Sequence, residues 1–107
     1  SGNDDQVVPM MALGAKGVIS VAANIVPDVM QRMTHLCLSN DYDAASKIQI
    51  QYMDLIDALF TEVNPIPIKA AMNLLGMDAG SLRLPLCDIS DKNLEVLRQA
   101  MHRAGLL

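Results

Sequence analysis

The chain has 107 residues and a formal net charge of −4, and 51% of it is hydrophobic although it holds one Phe, two Tyr and no Trp. That length is enough for one domain, whose core must be aliphatic with eight Met as adaptable filler. The acidic balance and the lack of aromatic platforms argue against nucleic acid and anionic membrane surfaces as partners, and no apolar run approaches the roughly 20 residues of a membrane span.

In chain order, Asp4 or Asp5 is placed to cap a helix from about Gln6 to Leu13, with Val7, Met10, Met11 and Leu13 on its apolar side. Pro9 falls in or just after the first turn, where its missing N–H does least harm, and Gly14 ends the helix. Val18–Ala22 then reads as a strand. Val18, Ile19 and Val21 are stiff at χ1, and the segment is nearly all apolar or small, as in a strand buried on both faces of a parallel sheet. A helix followed by a strand at this spacing is the second half of a βαβ unit, with Ser1-Gly2 just past the carboxyl end of a preceding strand. A lone buried strand leaves its N–H and C=O groups unpaired, at a cost of about a few kcal/mol each. Its neighbours are not among these residues. The expectation is therefore the C-terminal piece of a larger α/β protein, and a start at Ser1 without an initiator Met agrees with a cut inside a longer chain.

Beyond the strand only helices are expected. Pro27 suits a first helical position with Asp28 beside it, and Val29, Met30, Met33, Leu36 and Cys37 keep a 3.6-residue period to about Leu38. Ser39-Asn40-Asp41 break and recap the chain. A longer helix follows from about Tyr42 to Phe60, with Ala45, Ile48, Tyr52, Leu55, Ile56 and Leu59 on one face. Asn64-Pro65-Ile66-Pro67 should stop it, because residues before proline are pushed out of the α region. A further helix from about Ile68 to Leu75 ends at Gly76. Leu82–Cys87 is extended, and Asp88 or Ser90 caps a last helix carrying Leu94, Val96, Leu97 and Met101, with Arg103 near its C-terminus and Gly105 closing it. The fold class expected is a predominantly α-helical fragment of an α/β protein. Residues 1–25 form the last barrel or sheet elements, and residues 26–107 form a C-terminal helical domain.

No self-sufficient active site is legible. Lys16 precedes the strand at its amino end, whereas ligands of parallel α/β folds bind at carboxyl ends. Lys69 reads as a surface or interface charge, and Lys47 and Lys92 lie on solvent faces. His35 and His102 have no ligating partner at i+3 or i+4, so no metal site is expected. Asp4 and Asp5 are a carboxylate pair, but capping is the simpler reading. Met30 and Met33 read as core. Cys37 and Cys87 lack metal or redox spacing and read as reduced, packed residues of a cytosolic protein. Gly14 and Gly17 lack the spacing of a phosphate-binding loop.

Ser1-Gly2-Asn3-Asp4-Asp5, Leu13-Gly14-Ala15-Lys16-Gly17-Val18-Ile19-Ser20-Val21, Asn64-Pro65-Ile66-Pro67-Ile68-Lys69, Leu82-Arg83-Leu84-Pro85 and the ending Ala104-Gly105-Leu106-Leu107 occur in that order. Together they resemble the C-terminal third of the dihydrodipicolinate synthase family across essentially the whole chain. The resemblance implies a (β/α)₈ (TIM) barrel with a C-terminal helical domain. It also implies a cytoplasmic lyase of lysine and diaminopimelate synthesis that condenses pyruvate with aspartate semialdehyde through a lysine Schiff base, without a cofactor. Residue by residue, Ile19 corresponds to the eighth-strand residue whose backbone borders pyruvate, and Gly2 to a pocket-wall glycine after the seventh strand. Leu13 corresponds to a position in the weaker subunit contact of a homotetramer. The Schiff-base lysine, the tyrosine relay and the carboxylate-binding arginine have no counterpart here, so the chain alone is expected to be inactive. Ala15 stands where the family often has a second glycine. Related pyruvate aldolases such as N-acetylneuraminate lyase share the architecture, and the Asn64–Lys69 motif favours the synthase. The competing class is a non-enzymatic helical interaction or oligomerisation module.

Overall fold

A computed structural model describes residues 1–107. Its regular elements are all helical: α1 (Val7–Ala12), α2 (Pro27–Leu38), α3 (Tyr42–Gln51), α4 (Met53–Ala58), α5 (Ile66–Leu74) and α6 (Asp91–Arg103), with short 3-10 turns at Asp4–Gln6 and Ala22–Asn24. The chain divides into two compact units, Ser1–Met53 and Asp54–Leu107. No helix is long and apolar enough to cross a membrane.

In the first unit α1, α2 and α3 pack against one another. Val7, Val8 and Met11 of α1, Val29, Met30, Met33 and Cys37 of α2, and Ala45 and Ile48 of α3 are buried. Their spacing of three and four residues is that of one helical face, and fully burying each large apolar side chain contributes roughly 1.5–3 kcal/mol. Pro27 occupies the first turn of α2, and the Asp41 side chain accepts from the Ala44 N–H at 3.2 Å to start α3. Both starts follow the sequence reading. Gly14, Asn40, Gly76 and Gly105, all at positive φ, follow α1, α2, α5 and α6. In each case the next N–H turns back to a carbonyl of the last turn, as when Leu106 donates to Met101 at 2.9 Å.

Four expectations need correction. No strand forms at Val18–Ala22: residues 15–20 carry no regular structure, and Ala22 begins the second 3-10 turn. A strand exists only through its partners, and here the sole one is Ser1. The Ile19 N–H donates to the Ser1 carbonyl at 2.8 Å, and the Ser1 amino group donates to the Gly17 carbonyl at 3.4 Å. Those two bonds have the slanted register of a parallel pair about Val18, but they stop there. The segment is not buried on both faces either, since Ile19 is 87% exposed.

The helix expected over Tyr42–Phe60 is interrupted at Tyr52, which leaves the α region (φ −100°, ψ 5°) between α3 and α4. Ala45, Ile48, Leu55, Ile56 and Leu59 are buried on both sides of the break. An apolar period that continues through one displaced residue does not reveal it. The prolines of Asn64–Pro67 do not hold the chain out of helix as far as Ile68. Instead α5 starts at Ile66 with Pro67 in its first turn, where an absent N–H leaves no bond unmade. Finally, neither Asp4 nor Asp5 caps α1. Asn3 precedes the first 3-10 turn without a side-chain bond, Asp5 is exposed, and Asp4 is turned to a different task.

In the second unit α5 packs on α6. Leu55, Ile56, Ala58 and Leu59 of the α4 region, Ile66, Ile68 and Ala71 of α5, and Leu97, Ala100 and Met101 of α6 are buried. Val96, expected on the apolar face of the last helix, is exposed at 40%. The start of α6 is capped by Ser90, whose Oγ accepts from the Asn93 N–H at 3.2 Å.

Candidate functional site

The first unit brings the chain start and residues 17–22 together around one buried carboxylate. Asp4 is 0% exposed. One of its oxygens accepts from the Ser20 hydroxyl. The other accepts from the Val21 N–H at 3.0 Å and the Ala22 N–H at 3.2 Å. Ser20 Oγ in turn accepts from the Ala23 N–H at 2.9 Å. Buried N–H groups of an irregular segment need acceptors, and a carboxylate supplies several lone pairs at once. That demand explains why Asp4 serves the second 3-10 turn, eighteen residues on, rather than its own helix.

Behind Asp4 stands Gln49 of α3, a residue the sequence reading passed over. Its Nε2 donates to the Asp4 carbonyl at 2.9 Å, and its Oε1 accepts from the Val8 N–H at 3.2 Å. Gln49 is one of only two buried polar or charged residues, the other being Asp4. The available signal was a polar side chain at the position between Ile48 and Ile50, but helix periodicity alone cannot tell an inward amide from a solvated one. Tyr42 adds a further tie, its hydroxyl donating to the Met11 carbonyl at 3.1 Å.

The residues singled out by resemblance fall around this network. Ile19 immediately precedes the Asp4-bonded segment, and its N–H is bonded to Ser1, the neighbour of Gly2. Gly2 and Ile19 are thus brought side by side from opposite ends of a seventeen-residue excursion, with open space where a Cβ on Gly2 would lie. Leu13 stands apart at the end of α1, 86% exposed.

The remaining candidates are not drawn into it. Lys16 and Lys92 are exposed, and Lys47 pairs with Asp43 at 3.2 Å across one helical turn. Lys69 is not a free surface charge: it is half-buried, and its Nζ donates to the Ser81 carbonyl at 2.6 Å. Asn73, one turn on, accepts from the Ala79 N–H at 2.7 Å and donates to the Gly80 carbonyl at 3.1 Å. Together they tether the irregular segment after α5, leaving a groove of about 340 Å³ lined by Lys69, Asn73, Leu74, Leu82 and Leu94. No group of three His, Cys, Asp or Glu is placed to hold a metal ion. Cys37 is buried, which pushes its thiol up from the ordinary range, while Cys87 is exposed rather than packed.

The arrangement ties backbone together through one carboxylate, one serine hydroxyl and one glutamine amide. The model of the dihydrodipicolinate synthetase family matches residues 1–104. The chain belongs to that family. Among curated relatives, the 4-hydroxy-tetrahydrodipicolinate synthase of Clostridium novyi is 58% identical over 101 residues, covering 94% of this chain and 34% of the relative. A crystal structure of a dihydrodipicolinate synthase superposes with a TM-score of 0.97 at 45% identity, covering all of this chain and 37% of that one. A structure described as the first monomeric dihydrodipicolinate synthase variant is similar at a TM-score of 0.95 and 40% identity, with 100% and 36% covered. This member of the dihydrodipicolinate synthetase family therefore spans about a third of the length of the relatives it matches.

Proposed function

We propose that this chain is the C-terminal part of a 4-hydroxy-tetrahydrodipicolinate synthase, the lyase that condenses pyruvate with aspartate semialdehyde through a lysine imine. The observation that carries the reading is the family match over residues 1–104 joined to a superposition of the whole chain on 37% of a synthase. In this reading residues 1–25 are the last elements of a TIM barrel and residues 26–107 its helical domain. The parallel register of Ser1 against Gly17 and Ile19 supports that placement, since parallel neighbours joined by a helix are the repeating unit of such a barrel. Gly2 and Ile19 supply backbone and shape to the pyruvate pocket wall. Leu13 supplies an apolar contact between subunits of a homotetramer, and the assembled enzyme works in the cytoplasm in lysine and diaminopimelate synthesis.

This segment then contributes walls and support, and the reacting amine comes from elsewhere in the enzyme. A nucleophilic lysine needs a desolvated or cation-rich setting. Here Lys16 and Lys92 are exposed, Lys47 faces a carboxylate and Lys69 donates to a carbonyl. The test is borohydride trapping with pyruvate, followed by peptide mass mapping. The full-length enzyme should trap an imine on a lysine outside these 107 residues, and the 107-residue chain by itself should trap none. A reduced adduct on Lys16 or Lys69 would overturn the reading.

A further inference from the structure

We propose that Asp4 is a positioning residue for the pyruvate-facing backbone at Ile19, braced from the helical part of the chain by Gln49. The proposal rests on the functional reading above and deepens it. Within this chain residues 15–20 are held by individual hydrogen bonds. Ile19 lies between two sets of these. On one side its own N–H is bonded to Ser1 at 2.8 Å. On the other, the next three residues all donate to Asp4, through the Ser20 hydroxyl and the Val21 and Ala22 N–H groups.

The carboxylate itself cannot drift. It is 0% exposed, its main-chain carbonyl is held by Gln49 Nε2 at 2.9 Å, and Gln49 is fixed through Val8 at 3.2 Å. A chain of bonds therefore runs from α3 through Gln49, Asp4 and Ser20 to the residue that precedes it. Ile19 remains 87% exposed at the end of that chain. Its backbone is held on both sides by bonds made within this unit. A misplacement of about 1 Å in a binding wall can cost on the order of a hundredfold in rate, so loss of the Asp4 bonds should be read first in pyruvate affinity.

The experiment uses the full-length enzyme and steady-state kinetics for both substrates, after borohydride trapping has been done on the wild type. Asp4→Ala, which removes all three acceptor contacts, should raise the pyruvate KM by about tenfold or more, with a smaller change in the KM for aspartate semialdehyde. Asp4→Asn keeps the shape and one acceptor oxygen and should restore the pyruvate KM to within about threefold of wild type. If Asp4→Ala lacks a native circular dichroism spectrum, Ser20→Ala takes its place, with an expected rise in pyruvate KM of about threefold. A folded Asp4→Ala enzyme, or in its absence a Ser20→Ala enzyme, whose pyruvate KM is unchanged would overturn the positioning role, even if its thermal midpoint fell. Absence of a trapped imine in the wild type would overturn the functional reading instead, so the two failures are told apart.

Discussion

Glu62 reaches from the turn after α4 to the first turn of α6, where its Oε2 accepts from the Ser90 N–H at 3.0 Å and from Asn93 Nδ2 at 2.9 Å. These two bonds favour the ionised form, with the Asn93 amide the larger influence, and hold the carboxyl below its ordinary value. A group whose pKa falls on folding stabilises the native state above its unfolded pKa, and that contribution fades as pH falls through the folded value. Replacing Glu62 by Gln should therefore destabilise the protein at neutral pH. The difference from wild type should narrow below the ordinary glutamate range of about 4.3. Thermal midpoints of the two proteins at a series of pH values would check this, and a pH-independent difference would refute it. At the same scale, Asp4 and Gln49 show why residue identity alone misleads. An aspartate near a helix start reads as a cap and a glutamine on a helix carries no signal of its own, yet they are the two buried polar side chains, because each meets backbone groups that need a partner.

At the scale of the element, helix ends were more legible than the connections between helices. Pro27, Asp41, Ser90, Gly14, Gly76 and Gly105 act as the sequence reading expects, because caps depend on local backbone geometry that a few residues decide. Gly76 tests this most cleanly. It sits at φ +78° with nothing within 4 Å of where a Cβ would lie, so a substitution meets backbone strain but no steric clash. Gly76→Ala should cost about 1 kcal/mol, the left-handed penalty less the entropy gained from a stiffer unfolded chain. A urea titration would measure it, and an unchanged or raised midpoint would show that the αL strain is not limiting. The break at Tyr52 and the early start of α5 lay outside what periodicity resolves. Each moves only a residue or two of backbone.

For the whole molecule, two of the apolar residues singled out by resemblance are largely exposed in this chain, Leu13 at 86% and Ile19 at 87%. Leu13→Glu in the full-length enzyme should change stability by no more than about 0.5 kcal/mol per subunit, as expected for a surface site. It should shift the sedimentation profile toward smaller assemblies, because a charge facing an apolar contact is costly to desolvate. An unaltered sedimentation profile would remove Leu13 from the proposed subunit contact.

The amino-acid order by itself determined where most of the helices lie, the caps at Asp41 and Ser90, most of the aliphatic faces and the family, since each depends on neighbours close in sequence or on motifs at fixed spacing. It also marked Val18–Ala22 as suited to a sheet, but a strand is a property of at least two chains of backbone, and only Ser1 lies beside it here. Tertiary structure alone decided that Asp4 would turn from its own helix to Ser20, Val21 and Ala22, and that Gln49 would stand behind it. Those choices join residues 16 to 45 positions apart, and no local preference encodes which buried N–H will be left in need of an acceptor.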